Sequence, residues 1–268
     1  MRALNIIVCV KPVPDSRYWD RLSLDPNTKL LRREGIPIVI SPQDKNALEE
    51  ALRIKEMAGG GKITCVSMGP PNTTDVLSAA YALGADECVL LSDRAFAGAD
   101  TLATAAALAA GIKKIGAFDL VMFGNESLDG STAQVGPQVA EVLDIAAMTK
   151  VEKVEFTHED TVHVRTKIEG GYMVIEAKLP VALCVTSELN EVRLTPVMGA
   201  VWATEKKSTV WSVNDVTVDK AKIGLGGSPT YVPDIANINI ARKGEVIKGE
   251  PADIARQLVE KLKADGVI

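Results

Sequence analysis

Gly124-Asn125-Glu126-Ser127-Leu128-Asp129-Gly130-Ser131-Thr132-Ala133-Gln134-Val135-Gly136-Pro137-Gln138 follows directly on the apolar run Phe118–Phe123. The run reads as a fully buried strand, and the apolar periodicity that starts at Val135 reads as a helix. The loop between them packs glycine, aspartate, serine, threonine and glutamine into little more than one turn. A polar loop that joins the end of a parallel strand to a helix start is where open α/β sheets place ligands. The unpaired amides of a first helical turn and the helix dipole both favour a phosphate at that point.

Outward from this stretch the same alternation repeats. Strands are expected at 4–10, 62–67 and 87–91 besides 118–123, and helices at 43–58, 73–83, 100–115 and 133–143. Strands that read as unbroken apolar runs and alternate with helices predict a doubly wound, mostly parallel sheet. The helix at 100–115 is rich in alanine, which suits close approach to the sheet, and Asp100 or Thr101 is placed to cap its first turn. Ser41-Pro42 opens the helix at 43–58 in a similar way.

The pattern changes after residue 145. Segments 147–157, 161–168, 171–178 and 180–186 are short, closely spaced and read as antiparallel strands that extend or flank the main sheet. The stretch 188–235 reads as irregular, and only 251–264, with a proline start and a glycine stop, returns to a helical pattern. The expected division is therefore an α/β domain over 1–187 and an extended C-terminal arm over 188–268. Apolar residues scattered through the arm (Val197, Met198, Val201, Trp202, Val210, Trp211 and Val213) point to wrapping around a partner.

Composition bounds the function. With 268 residues, 47% of them apolar, the chain can bury a large core, and 4% aromatics make that core aliphatic. A formal net charge of -5 argues against nucleic acid as a partner. No apolar run approaches the roughly 18 residues that span a bilayer, and LNIIVCV at the start lacks a signal-peptide profile, so a cytoplasmic protein is expected. Cys9, Cys65, Cys88 and Cys184 each sit in an apolar strand-like run and form no paired-cysteine motif, so reduced core thiols are expected. His158 and His163 lie in a charged hairpin-like stretch and read as solvated.

The first strand is followed by VCVKPVPD rather than GxGxxG, and no GxxxxGK[ST], HExxH or nucleophile elbow occurs. Phosphates would have to be held by helix starts and small hydroxyls from several loops. Those that follow successive parallel strands are Cys9 to Pro12, Ser41 to Asn46, Ser67-Met68-Gly69, Asp100-Thr101 with Thr104, and Asp129 to Gln134. A stand-alone ATP-binding module of the universal-stress type would share this architecture, but its late glycine-spaced phosphate motif is missing.

The segments VCVKPVPD, SPQDKNALEEALRIKE, VSMGPP, ALGADECVLLSDRAFAGADTLATA, LDGSTAQVGPQVAEVL and VRTKIEGGYMVIEAKLPVALCVTSELNEVR, in this order, resemble the small (β) subunit of electron transfer flavoprotein. The resemblance implies a Rossmann-like domain that binds an adenine nucleotide and a larger (α) subunit that carries an electron-transferring FAD. In the respiratory branch the small subunit's nucleotide is AMP. In the electron-bifurcating branch it is a second FAD that takes hydride from NADH. DKNALEEAL, SMGPP and FAGADTLATA are similar to the bifurcating members, with Gly98 to Thr101 as room for a pyrophosphate and Ala103, Thr104 and Ala107 as space beside it. Alanines there would equally serve only to seat the helix on the sheet.

Carried over by position, the implied nucleotide contacts are Asp129, Gly130, Ser131, Thr132, Gln134 and Val135 in the loop, Cys9 and Lys11 at the first strand's exit, Ser67, Met68 and Gly69 at the second, and Ser41, Asp44 and Asn46 at a helix start. Asp100, Thr101 and Thr104 complete the set. Thr132 and Ser131 would hold phosphate, Asp129 would accept from ribose hydroxyls or cap the turn, and Lys11 would offset phosphate charge or stay solvated. No side chain is needed as nucleophile, base or metal ligand, because hydride and electron transfer belong to the flavin. The implied partners are the larger subunit, a flavin-dependent dehydrogenase and ferredoxin as low-potential acceptor, with no membrane insertion.

Two places depart from the pattern. Asn125-Glu126 stands where members carry a basic residue and a glutamine, which removes a positive charge beside the nucleotide. After Leu189-Asn190-Glu191 the family continues Pro-Arg-Tyr in the loop that docks on the dehydrogenase, whereas this chain has Val192-Arg193-Leu194. Leu194 is the expected apolar anchor, and the changed loop points away from a typical acyl-CoA dehydrogenase toward a lactate-type (2-hydroxyacid) one.

Overall fold

The apolar run Leu4–Cys9 forms β1, and in the computed structural model it becomes an inner strand of a large sheet. The structure describes residues 2–21, 23–24, 31–32, 35–158, 160–230 and 244–268. After β1 come β2 (Pro12–Pro14), β3 (Ser23–Leu24), β4 (Leu31–Arg32), β5 (Ile38–Ile40), α1 (Pro42–Met57), β6 (Gly61–Met68), α2 (Thr74–Leu83), β7 (Glu87–Leu91), α3 (Thr101–Ile115), β8 (Leu120–Gly124) and α4 (Val135–Leu143). Then follow β9 (Ala146–His158), β10 (Thr161–Ile168), β11 (Gly171–Lys178), β12 (Val181–Val185), α5 (Val197–Glu205), β13 (Thr209–Trp211) and α6 (Pro251–Ala264).

Among the described residues, nine strands make one sheet in the order β11-β10-β9-β12-β8-β1-β6-β7-β13. The chain grows from β1 through β6 to β7, then returns to β8 on the other side of β1. The topological switch point therefore falls between β1 and β8, where an open sheet leaves a crevice at the strands' carboxyl ends. Alternate residues of each strand feed two cores. Leu4, Ile6 and Val8 of β1 pack with Leu48 and Ala51 of α1 and Leu77 of α2, while Ile7 and Cys9 pack with Leu108 and Ile112 of α3 and Val139 of α4. Helices thus cover both faces, as the doubly wound reading requires.

The four cysteines are free and buried. His163 is hydrogen-bonded to Glu176 (2.7 Å) across the β10–β11 pair, and the side chain of His158 lies outside the described residues. No helix among the described residues is long and apolar enough to cross a membrane.

Three expectations need correction. β12 is not antiparallel: it pairs in parallel with both β8 and β9, and only β9–β10–β11 form an antiparallel meander. Its five residues are all buried, the mark of a strand covered on both faces. The stretch 188–235 is not wholly irregular, since it holds α5 and the sheet's edge strand β13. Of its apolar residues, Val213 is buried in the α3–α4 core and Trp211 packs against it, whereas Val197, Met198, Val201, Trp202 and Val210 are exposed. Finally, Ala103 and Ala107 leave no ligand space, because both are fully buried in α3. The side chain of Leu91 would be only 3.1 Å from a Cβ placed at Gly111, so the small residues of α3 serve close helix–sheet approach.

Candidate functional site

The crevice at the switch point is held together from below by Asp44. One carboxylate oxygen accepts the Lys11 amide that leaves β1 (2.8 Å), and the other accepts the Gly124 amide that ends β8 (2.8 Å). Asp44 sits in the first turn of α1 and is 7% exposed. Burial pushes its carboxyl up to about 7, against the pull of the two amides and Lys11 and with help from the charge of Asp129. Gly124 is required for this approach: a Cβ there would lie 2.6 Å from Asp44 Oδ1.

Above Asp44, Lys11 turns its ammonium to the loop after β8. It donates to Asp129 Oδ1 at 2.5 Å and to Ser127 Oγ at 3.1 Å. Burial works to raise the Asp129 carboxyl, but the hydrogen bond and charge of Lys11 outweigh it and hold it below the usual aspartate range. The loop folds on Ser127, whose carbonyl accepts the Ser131 amide (2.9 Å) and hydroxyl (3.2 Å). Ser131 and Ala133 have φ of 46° and 53°, a conformation that L-residues adopt only when the surroundings impose it. Gly130, Ser131, Thr132 and Gln134 are exposed along this rim.

α4 starts here without a side-chain cap. Its N-cap residue Gln134 instead accepts from Thr101 Oγ1 (3.0 Å), which ties the starts of α3 and α4 together, and Val135 turns into the α3–α4 core. The first-turn amides of α4 are thus left without a side-chain acceptor, at the end of a loop that the Lys11 ammonium anchors through Asp129 and Ser127. The α3 start differs. Asp100 caps it through the Ala103 amide (3.0 Å), and its other oxygen accepts the Thr230 amide (3.1 Å) and hydroxyl (2.8 Å). A carboxylate already fills that terminus, so a pyrophosphate finds charge repulsion there, whereas a sugar hydroxyl finds an acceptor. Thr104 is half-buried one turn further along α3.

Ser67, near the end of β6, and Ser41, the N-cap of α1, are both fully buried, and neither hydroxyl has a hydrogen-bond partner among the described residues. Met68 packs against the α3–α4 core and Gly69 donates to the Leu91 carbonyl (3.1 Å). Two expected site residues point elsewhere. Cys9 is committed to the core, with burial pushing its thiol up. Asn46 bonds to Asn190 (2.8 and 3.0 Å) and so holds the 190–193 loop rather than the crevice.

Gln43, within the Ser41 to Asn46 segment, accepts the Glu126 amide on its Oε1 (3.0 Å), and Gly124 and Ser127 take structural roles that the loop's composition does not assign. The acid-then-glycine spacing of Asp44 and Gly124, 80 residues apart, carries no local signal. Asn125 is structural: its Oδ1 accepts the Lys150 amide (2.9 Å) and its own amide donates to Val185 (2.7 Å). A cleft of about 470 Å³ lies on the far side of this turn, lined by Gln43, Asn125, Glu126, Lys150, Lys167 and Thr186 among others. Among the described residues no group of three or more His, Cys, Asp or Glu could hold a metal ion.

Fold and rim together define the class: a doubly wound α/β protein whose ligand edge, at a switch point, ends on an uncapped helix start. Within that class, the electron transfer flavoprotein domain matches residues 28–220. The chain is 47% identical to the electron transfer flavoprotein subunit beta of Clostridium acetobutylicum, covering 99% of this chain and 100% of that one. It is 42% identical to the caffeyl-CoA reductase-Etf complex subunit CarD of Acetobacterium woodii (99% and 100%) and 40% identical to protein FixA of Azorhizobium caulinodans (85% and 83%). The chain belongs to the electron transfer flavoprotein family and is similar over nearly its whole length to beta subunits.

Proposed function

We propose that this chain is the small subunit of an NADH-linked flavin electron carrier and that its crevice holds FAD. The observation that carries the proposal is the uncapped α4 start at the end of a loop that Lys11 anchors at the switch point, with strained φ at Ser131 and Ala133. Those residues fit an adenine nucleotide: α4 amides and Lys11 take phosphate, Asp129 and Asp100 accept sugar hydroxyls, and the buried Ser41 and Ser67 hydroxyls lack partners among the described residues. FAD bound there supplies a hydride acceptor and one-electron donor, which a carrier between NADH, a ferredoxin-type acceptor and a flavin dehydrogenase requires. The protein's own part is to seat phosphate, fix the adenine end and exclude water from it.

In this reading the larger alpha subunit holds the second FAD and is gripped by the 188–268 arm, where α6 leaves Leu258 and Val259 exposed. The loop that presents Leu194, 92% exposed, docks on an acyl-CoA or lactate-type dehydrogenase, and the complex works in the cytoplasm. The second reading is a respiratory-type carrier with AMP in the crevice and no redox step in this subunit. It is favoured by the carboxylate that closes the α3 start, because AMP needs only the α4 seat. Release of nucleotides from the purified heterodimer decides. Two FAD per heterodimer and bleaching of both by NADH are expected, one FAD with one AMP selects the second reading, and absence of any adenine nucleotide overturns both.

A further inference from the structure

Asp44 does more than line the crevice. Its two oxygens accept backbone amides from two different strand exits, Lys11 after β1 and Gly124 at the end of β8, on either side of the switch point. Ser41, at the start of the same helix, donates its amide to the Lys11 carbonyl (3.0 Å), and Gln43 accepts from Glu126. One helical turn therefore touches both walls of the crevice. The groups that face Asp44 are the Lys11 ammonium and Asp129 carboxylate above it and the Cys9 and Cys184 thiols of β1 and β12 beside it. Lys11 then links the same clasp to the phosphate rim, through Asp129 and Ser127.

We propose that Asp44 is a positioning residue that clasps the exits of β1 and β8, and that protonating its carboxylate releases one exit and weakens nucleotide binding. A carboxylate accepts both amides. A carboxylic acid keeps one carbonyl acceptor, while its hydroxyl oxygen is a donor and only a weak acceptor, so one of the two amides loses its charge-assisted bond. The clasp is a backbone device and needs no contact between Asp44 and the ligand. It rests on the nucleotide reading of the crevice and adds a control on it near neutral pH, where the burial of Asp44 places its titration.

The test compares the full-length wild-type chain with Asp44→Asn, which keeps the shape but offers one acceptor and one donor. AMP is the probe, by equilibrium dialysis at about pH 8.5 and about pH 5.5. At the higher pH the variant should bind AMP about tenfold more weakly, the effect of one lost charge-assisted hydrogen bond. Toward the lower pH wild type should lose affinity until the two converge, while the phosphate's own titration cancels in their ratio. Equal affinity at high pH, or a constant ratio across the range, overturns the proposal. A second measurement does not depend on the variant's folding: the Lys11 and Gly124 amide resonances of wild type should titrate together, with one midpoint. Independent or absent titration overturns the clasp. If wild type binds no AMP at either pH, the nucleotide reading fails, and the amide titration still judges the clasp by itself.

Discussion

Ionised Asp44 is held by two amides yet is nearly cut off from water, so its charge destabilises the fold that it organises. Its carboxyl is raised from 3.8 to about 7, so the folded state holds a proton that the unfolded chain has released across that interval. The stability that it contributes is therefore full below about pH 4 and lost as pH rises toward about 7. The difference in urea-unfolding free energy between Asp44→Asn and wild type should grow in the variant's favour over that window and be flat above it. Gly124→Ala attacks the same point sterically. A Cβ 2.6 Å from Asp44 Oδ1 forces the exit of β8 away, at a cost of about 1–3 kcal/mol in chemical denaturation. On the rim, Asp129→Ala leaves Lys11 with Ser127 alone and loosens the loop, and Thr132→Ala removes an exposed hydroxyl without touching the core. Both should lower the nucleotide that stays with the protein through gel filtration while thermal unfolding of Thr132→Ala stays within about 0.5 kcal/mol of wild type.

α1 serves both ends of the functional surface. Its first turn clasps the crevice, and its later turns hold the 190–193 loop. Arg193 binds Glu49 (2.8 Å) and Glu56 (2.6 Å), Asn190 binds Asn46 and Glu50, and Arg53 donates to the Glu191 carbonyl (2.9 Å). Burial works to raise Glu49, but hydrogen bonds from Arg193 and Arg53 hold it below the usual range. Arg193→Ala leaves the buried Glu49 with Arg53 alone, and a loss of about 2 kcal/mol is expected, smaller than for a fully buried pair because Arg193 is partly exposed. Arg193→Lys should recover part of it, read from the same denaturation curves. Because Glu49 is lowered, its share of the stability is present above the ordinary glutamate range and lost as pH falls below it.

The alternation of apolar runs and helices made β1, β6, β7 and β8 and the helices between them legible within a residue or two, since strands buried on both faces have little freedom in composition. β12 was legible as a strand but not in its direction: spacing sees the chain neighbours of Val181–Val185, and the strands that flank it in space, β8 and β9, are set by the sheet's closure. α5 lacked a buried stripe to read, because Val197, Met198, Val201 and Trp202 all remain exposed, and the three residues of β13 are too few for periodicity. In the site, the loop before α4 was visible from its composition. The Asp44 clasp and the Thr101–Gln134 link were not, because they join residues that only the strand order brings together.

For the molecule as a whole, the return of 224–230 fastens the 188–268 arm to the α3 start. Leu225 donates to the Ala97 carbonyl (3.0 Å), Ser228 accepts the Asp100 amide (2.8 Å), and Thr230 closes on the Asp100 carboxylate. Deleting 231–268 should therefore leave a chain that unfolds at the wild-type temperature but no longer co-elutes with the larger subunit, since among the described residues no residue of α6 is buried. Cutting before Thr230 instead should also lower that temperature, by removing donors from Asp100. Thr230 is thereby knotted to the corner where α3 begins, and because Thr101 there reaches Gln134 at the threshold of α4, a tug on that one residue is felt at both helix starts.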